Sequence, residues 1–393
     1  MISINISGSQ EKKRKIRRII YTIILILAIF FAIVYIVYSS NKQFRDILDK
    51  YVFRKNITNE KLASIHLDYD SNVNVIAYNK YICMLAENTL KQYNTSGNLV
   101  SELKVEISNP VYHTNDKYLV ISEKNSTKTY LISDTKILWQ KDIDGNIAKV
   151  DVNKNGYVAL VLTGTTYKSV IATYDVKGNE LFKTYLSSNS ASDATISSDN
   201  KYLAWAEINT SGTFIKSRVK IVSVEKAKNE PDSSIVYTSD EVNNLITNIE
   251  YQHKDKLICI YDDSIHSISN GNDENILNLK ENDKKIYWAD IKLENCIYRA
   301  VEKSAGLFKA NTTIEIMNTA SKKQTMYTVE GAVKKMYCHK NILAIDLGGQ
   351  INFINTNGWL MKSYTFSQEA QNVIIGNGIA GIIYDDRVEI INL

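Results

Sequence analysis

Two acidic doublets in the same frame, Tyr261-Asp262-Asp263 and Tyr384-Asp385-Asp386, are the first residues here that could do chemistry. Each lies between an apolar strand and a second one, SIHSI or RVEII. Paired carboxylates can hold calcium or share acid–base work. Asp also favours turns by bonding its own backbone, which accounts for both doublets as hairpin residues. The five histidines, His66, His113, His253, His266 and His339, form no HExxH, no HxH and no close carboxylate pairing, so no metal site is expected. Cys83, Cys259, Cys296 and Cys338 are 176, 37 and 42 residues apart, without a CxxC. They read as buried free thiols, with a Cys296–Cys338 bridge as the alternative. No GxSxG, SxxK or phosphate-cradling glycine loop is present, and Gly348-Gly349 reads as a hairpin turn. The expectation is a protein without catalytic residues, without a cofactor and without enzymatic activity.

These residues must be positioned by strands. After residue 60 the chain alternates short Val, Ile, Tyr and Thr runs with Asn, Asp and Gly turns, and shows no long helical period. One phrase, a polar turn followed by an apolar strand, recurs as NKYICMLA, DKYLVIS, NGYVALVL, NKYLAWAEI, DKLICIY, NCIYRAVE, KNILAIDL and NGIAGIIYD. Its aligned positions run from 81 to 379, and seven intervals across 298 residues average about 43, the spacing of propeller blades. A second phrase in each unit, as in IATYDVKGNELFKTYL, completes four strands. The pattern predicts an all-β fold: a β-propeller over 61–393, most simply of eight blades, with seven as the alternative.

The last unit stops one strand short at Leu393. LASIHLD, residues 62–68, can supply that strand and close the ring between N- and C-terminal segments, leaving no open sheet edge.

The repeats DxxGxxL/W and SxDNKYLA resemble those of quinoprotein-like, YVTN-like and WD40-like β-propellers. The stretch from Asn155 to Ile208, with GYVALV, TYDVKGNELFKTYL and ISSDNKYLAWAEI, is also similar to the clostridial single-pass membrane proteins grouped as domain of unknown function 5711. That resemblance implies an extracytoplasmic location and no assigned activity. There are departures from the better-known propellers. No Trp-Asp dipeptide closes the blades, and Trp139, Trp205, Trp288 and Trp359 are too few for a tryptophan girdle, so no quinone cofactor is expected. Asn200 occupies a position where such repeats usually have Gly, and Asn tolerates the left-handed turn.

Residues 19–38, IIYTIILILAIFFAIVYIVY, carry no charge, and at about 1.5 Å each they span roughly 30 Å of hydrocarbon. They read as an uncleaved transmembrane helix, too long for a signal-peptide core. Lys12, Lys13, Arg14, Lys15, Arg17 and Arg18 precede it in a tail, 1–18, of net charge +5, so residues 19–393 sum to −1 of the total +4. The positive-inside rule then keeps the tail cytoplasmic and places the rest outside a plasma membrane. Residues 39–60 read as an amphipathic stalk. The Ile-, Asn-, Lys- and Tyr-rich, Pro-poor composition suggests a bacterial source. The near-neutral ectodomain lacks the basic footprint that nucleic acid requires.

Loop length suggests where a partner docks. Between second and third strands, blades 3, 4 and 6 carry TGTTYKS, NTSGTFIKSR and KSAGLFKANTT, where blades 5, 7 and 8 have tight hairpins. Tyr167, Lys168, Phe214, Lys216, Arg218, Phe308 and Lys309 thereby fall on one face, an aromatic and basic mixture suited to another envelope protein or an anionic wall polymer. The expected function is a non-enzymatic binding or scaffold protein. The alternative is an enzyme or a carbohydrate- or small-ligand-binding propeller using the central channel, with Asp151, His113, His339 and Asp290 as the inner-strand candidates.

Overall fold

The computed structural model describes residues 7–40, 48, 62–67, 73–281, 285–304, 310–366 and 368–393. Compact units divide at residue 56. The first contains one continuous helix, Ser7–Ser40, whose Arg18–Tyr38 stretch has mean hydropathy 3.0 and is long and apolar enough to cross a membrane. The helix starts before the apolar span because Lys, Arg and Glu are good helix formers in their own right. The amphipathic stalk expected at 39–60 lies, beyond Ser40, outside the described residues except Leu48.

The second unit is an eight-bladed β-propeller, which decides between seven and eight. Eight four-stranded antiparallel sheets follow one another in chain order. Blade 1 shows the pattern: inner strand Asn74–Tyr78, then Tyr81–Ala86, Thr89–Tyr93 and outer strand Leu99–Lys104. Blade 8 consists of Asn372–Gly376, Ile379–Ile383 and Arg387–Asn392, completed on its outside by Ala63–His66. The closing register pairs Ala63 with Ile390 and His66 with Arg387, as the missing-strand argument requires.

Strands such as Tyr118–Glu123 and Val158–Thr163 are buried almost throughout, because both faces of a middle strand meet a neighbouring blade. Their apolar runs form eight buried clusters, one at each junction between blades, including the junction of blades 8 and 1 where Ile65, Ala77, Ile379 and Val388 meet.

The repeated turn phrase has a local cause. Asn94, Asn153, Asp175 and Asn355 each accept, through Oδ1, the N–H groups two and four residues on, at 2.8 to 3.1 Å. The residue three on is Gly97, Gly156, Gly178 or Gly358, all at positive φ. At Gly156 (φ +80°) a Cβ would fall 2.7 Å from Val176 and 2.8 Å from Tyr118, so only glycine fits. Asn200 has φ +64°, the left-handed conformation expected of it.

Candidate functional site

An innermost strand pairs on one side only, and its other edge faces the channel with N–H groups that need acceptors. Side chains of the preceding blade supply them. The Val152 N–H donates to His113 Nδ1 at 3.1 Å, the Ile196 N–H to Asp151 Oδ2 at 3.2 Å, and the Ile249 N–H to Asp193 Oδ2 at 3.1 Å. Three consecutive junctions, from blade 2 to blade 5, are stitched by the same device. In blade 6 Asp290 instead accepts from the N–H groups of Ile291 and Lys292, at 2.7 and 3.2 Å.

These strands enclose a cavity of about 1050 Å³ that reaches the first-to-second-strand turns and a smaller one of about 290 Å³ toward the opposite face. His113, Asp151, Asp290 and His339, the inner-strand candidates read from sequence, all line the larger cavity. Tyr112, His113, Asp151, Glu250 and Lys292 line both, and mark the waist of the channel. Tyr112, Glu250, Lys292 and Asp193 were not recognisable as site residues in the sequence. Charged residues within the inner-strand runs TNIEY, ADIK and SASDA were the only signal. Blades 8 and 1, across the ring from blades 4 and 5, contribute Ala77, Val373, Ile374 and Ile375. One wall is therefore charged and the other apolar.

Burial pushes the Glu250 carboxyl up to about 8; Lys292 opposes the shift, while Asp151, Asp290 and Asp193 reinforce it. Burial raises Asp151 to about 6 against the N–H of Ile196. His113 and His339 are lowered to about 4, chiefly by burial. His113 Nδ1 accepts from the Val152 N–H and also lies 3.1 Å from Asp151 Oδ1, a close histidine–carboxylate contact that the sequence did not lead us to expect. The Nε2 of His339 is buried without a hydrogen-bond partner among the described residues. Burial alone would lower the Lys292 ammonium, but Asp290, Glu250 and other acids raise it overall. Neither the Glu250 carboxyl nor the Lys292 ammonium makes a hydrogen bond or close ion pair among the described residues; they act on each other only through their charges.

Elsewhere the candidates are engaged separately. Asp262 meets Lys280 Nζ at 3.0 Å, Asp263 accepts from Asn244 at 2.8 Å, Asp385 from Gln371, and Asp386 pairs with Arg387 at 2.9 Å. Among the described residues no group of His, Cys, Asp and Glu converges as a metal site. All four cysteines are free, and only Cys338, which lines the channel, is half-buried.

On the long-loop face Tyr167, Lys168, Phe214 and Lys216 are exposed. Tyr167 stacks on Tyr185 with centroids 4.8 Å apart, and Phe214 is 69% exposed beside Ile215. Lys216 lies 3.5 Å from Glu241. Arg218 is drawn inward, its Nε donating at 2.8 Å to Glu207, a buried carboxylate that also accepts from Asn189, Trp205 and Lys220. Phe308 and Lys309 lie outside the described residues.

Residues 53–393 match a family of unknown function, DUF5711. The chain belongs to that family. Comparison with curated protein sequences finds no match. Among solved structures, the chain is similar to the C-terminal WD40 domain of Sif2 (TM-score 0.55, 11% identity, 84% of this chain and 99% of that one). An oligogalacturonate lyase in complex with manganese gives TM-score 0.51 at 9% identity, over 84% of this chain and 98% of that one. BamB from Moraxella catarrhalis gives 0.48 at 11% identity, over 85% and 99%. At such identities the likeness of this DUF5711 member to the first two is one of fold and nothing finer.

Proposed function

We propose that this chain is a membrane-anchored, non-catalytic binding protein that takes up a small polar solute in the channel of its propeller, on the outer side of a bacterial plasma membrane. One observation carries the reading: Glu250 and Lys292 both line the waist shared by the two cavities, and neither side chain makes a hydrogen bond or close ion pair among the described residues. The larger cavity, about 1050 Å³, is at the upper end of the roughly 300–1,000 Å³ typical of small-molecule sites. The anchor follows from the apolar Arg18–Tyr38 helix, and the outward orientation from the bases Lys12 to Arg18 before it.

The test is thermal denaturation of the full chain in detergent against a panel of small polar solutes, repeated with Thr114→Trp, which would place an indole in the lumen and narrow it. Stabilisation that disappears in Thr114→Trp supports the channel. Stabilisation that survives it, or none from any solute, removes the channel from the account.

A second reading rests on the exposure of Phe214 and Ile215 in blade 4 and of Tyr167 and Tyr185 in blade 3, and has an envelope protein or wall polymer docking on the long-loop face. A photoreactive residue at position 214 would crosslink such a partner in cells, and Phe214→Ala would weaken capture without altering thermal stability. Crosslinks to lipid alone would dismiss this reading.

A further inference from the structure

Four acids and two bases surround the waist: Asp151, Asp193, Glu250 and Asp290 with Lys149 and Lys292. Their hydrogen bonds decide what each can still offer a guest. Asp151 and Asp193 each commit Oδ2 to a backbone N–H of the next blade, and Lys149 is spent on Asp193 at 3.5 Å. Asp290 commits Oδ1 to two N–H groups of its own turn. Asp151 Oδ1 also faces His113 Nδ1 at 3.1 Å, so what remains for a guest in the larger cavity is the residual acceptor capacity of Asp151 and that of Asp290, the three N–H donors of Lys292, and Glu250. Burial keeps Glu250 protonated near neutral pH, so its O–H donates.

Such an alternation of donors and acceptors is wrong for a simple ion. An anion would meet the carboxylates, and the one ammonium of this cavity's waist is already balanced by them. An organic cation would find the position for positive charge filled by Lys292. A bare divalent metal would need ligands that converge, and among the described residues none do. A hydroxyl group, by contrast, both donates and accepts, and a row of hydroxyls satisfies alternating partners at little desolvation cost. The facing wall of Ala77, Val373, Ile374 and Ile375 adds a surface for C–H groups, and the half-exposed Tyr112 ring lies at the waist. A pyranose has this two-sidedness, hydroxyls around its rim and C–H groups on its faces.

We infer that the channel binds an uncharged saccharide, with its hydroxyls between Lys292, Glu250, Asp290 and Asp151 and a C–H face against the wall formed by blades 8 and 1. This rests on the channel reading above and narrows it to one class of ligand.

The experiment uses three probes built on one ring, glucose, glucosamine and glucuronate, and the neutral trisaccharide maltotriose. Saturation-transfer NMR and calorimetric titration are run on the full chain in detergent, for the native protein, Lys292→Met, Glu250→Gln and the narrowed-channel Thr114→Trp. The expected result is binding of glucose or maltotriose, at least tenfold weaker binding of glucuronate and glucosamine, loss of at least tenfold in Lys292→Met, and no binding in Thr114→Trp. Glucosamine or glucuronate binding better than glucose, with loss in Thr114→Trp, overturns the saccharide class and leaves the channel reading intact. Binding that survives Thr114→Trp, or no probe binding at all, overturns the inference. In the first case the channel falls too; in the second, the wider solute panel decides it separately. Cooperative thermal unfolding, with no variant melting more than a few degrees below the native protein, verifies that the variants fold.

Discussion

Lys340 Nζ lies 2.6 Å from Asp116 Oδ1, although these residues belong to the first turns of blades 7 and 2, with blades 8 and 1 between them. The pair crosses one side of the channel mouth. Beside it the Asn377 N–H donates to the Asn79 carbonyl and ties the corresponding turns of blades 8 and 1. The mouth is thus drawn together on its apolar side by contacts at the rim.

Removing this pair tests that account. The two side chains are 33% and 48% exposed, so the bridge is worth only about 0–1 kcal/mol of stability. Lys340→Met is expected to leave the melting temperature within a few degrees and to speed reaction of Cys338 with a small thiol reagent several-fold. An unchanged rate would show that the pair does not obstruct the lumen.

The thiols themselves give a second prediction. Cys83, Cys259 and Cys296 are buried, and burial raises their thiols, Cys83 to about 12. Both protonation and burial oppose reaction. Alkylation of the native protein, mapped by mass spectrometry, is expected to find Cys338 first and slowly, with the other three modified only in denaturant.

The raised carboxyl at Glu250 makes stability depend on pH in a definite direction. The folded value of about 8 exceeds the roughly 4.3 of an unfolded glutamate, so its contribution is full below the unfolded value and is lost as pH rises through the folded one. Glu250→Gln should therefore flatten the decline of melting temperature between about pH 5 and pH 8 and gain on the native protein at the upper end. Parallel curves for the two proteins would mean that Glu250 is ionised in the fold.

Glu207 is the opposite case. Burial would raise its carboxyl, but hydrogen bonds from Asn189, Trp205, Arg218 and Lys220 hold it below the ordinary value. Its contribution is present at neutral pH and lost as pH falls below about 4. Glu207→Gln is expected to cost about 3–5 kcal/mol in urea denaturation at neutral pH, since it leaves cations without their buried partner. A cost below 1 kcal/mol would mean that Arg218 and Lys220 relax into solvent.

Ile65, 6% exposed in the closing strand and paired with Val388, tests the seal of the ring. Ile65→Ala is expected to lower stability by about 2–4 kcal/mol, read from chemical denaturation, as for any buried Ile truncated to Ala. A loss no larger than a surface substitution gives would show that the strand is frayed.

The ring was legible because its signals are local. Short apolar runs, a polar turn every 43 residues or so and an unpaired last unit can be read from neighbours in sequence, and they predicted even Ala63–His66 as the seal. The lumen was half legible: Asp151, His113, His339 and Asp290 stand out as polar residues on inner strands. Glu250 and Lys292 did not, because their importance lies in having no hydrogen-bond partner among the described residues, which only the packed blades reveal. Arg218 shows the converse. It reads as a loop cation, yet it pairs across the second and third strands with Glu207, a relation set by hairpin register that the loop TSGTFIK obscures.

The seal also has a temporal meaning. Ala63 and Ile390 are roughly 330 residues apart, so the first strand of the propeller to be synthesised has no partner until nearly the whole ring has followed it, a contact of very high order. A chain interrupted anywhere before Arg387–Asn392 would leave Ala63–His66 unpaired, with the exposed edge on which unfinished proteins are recognised and removed. The strand joined most closely to the N-terminal helix thus checks that the ring has been made to its end.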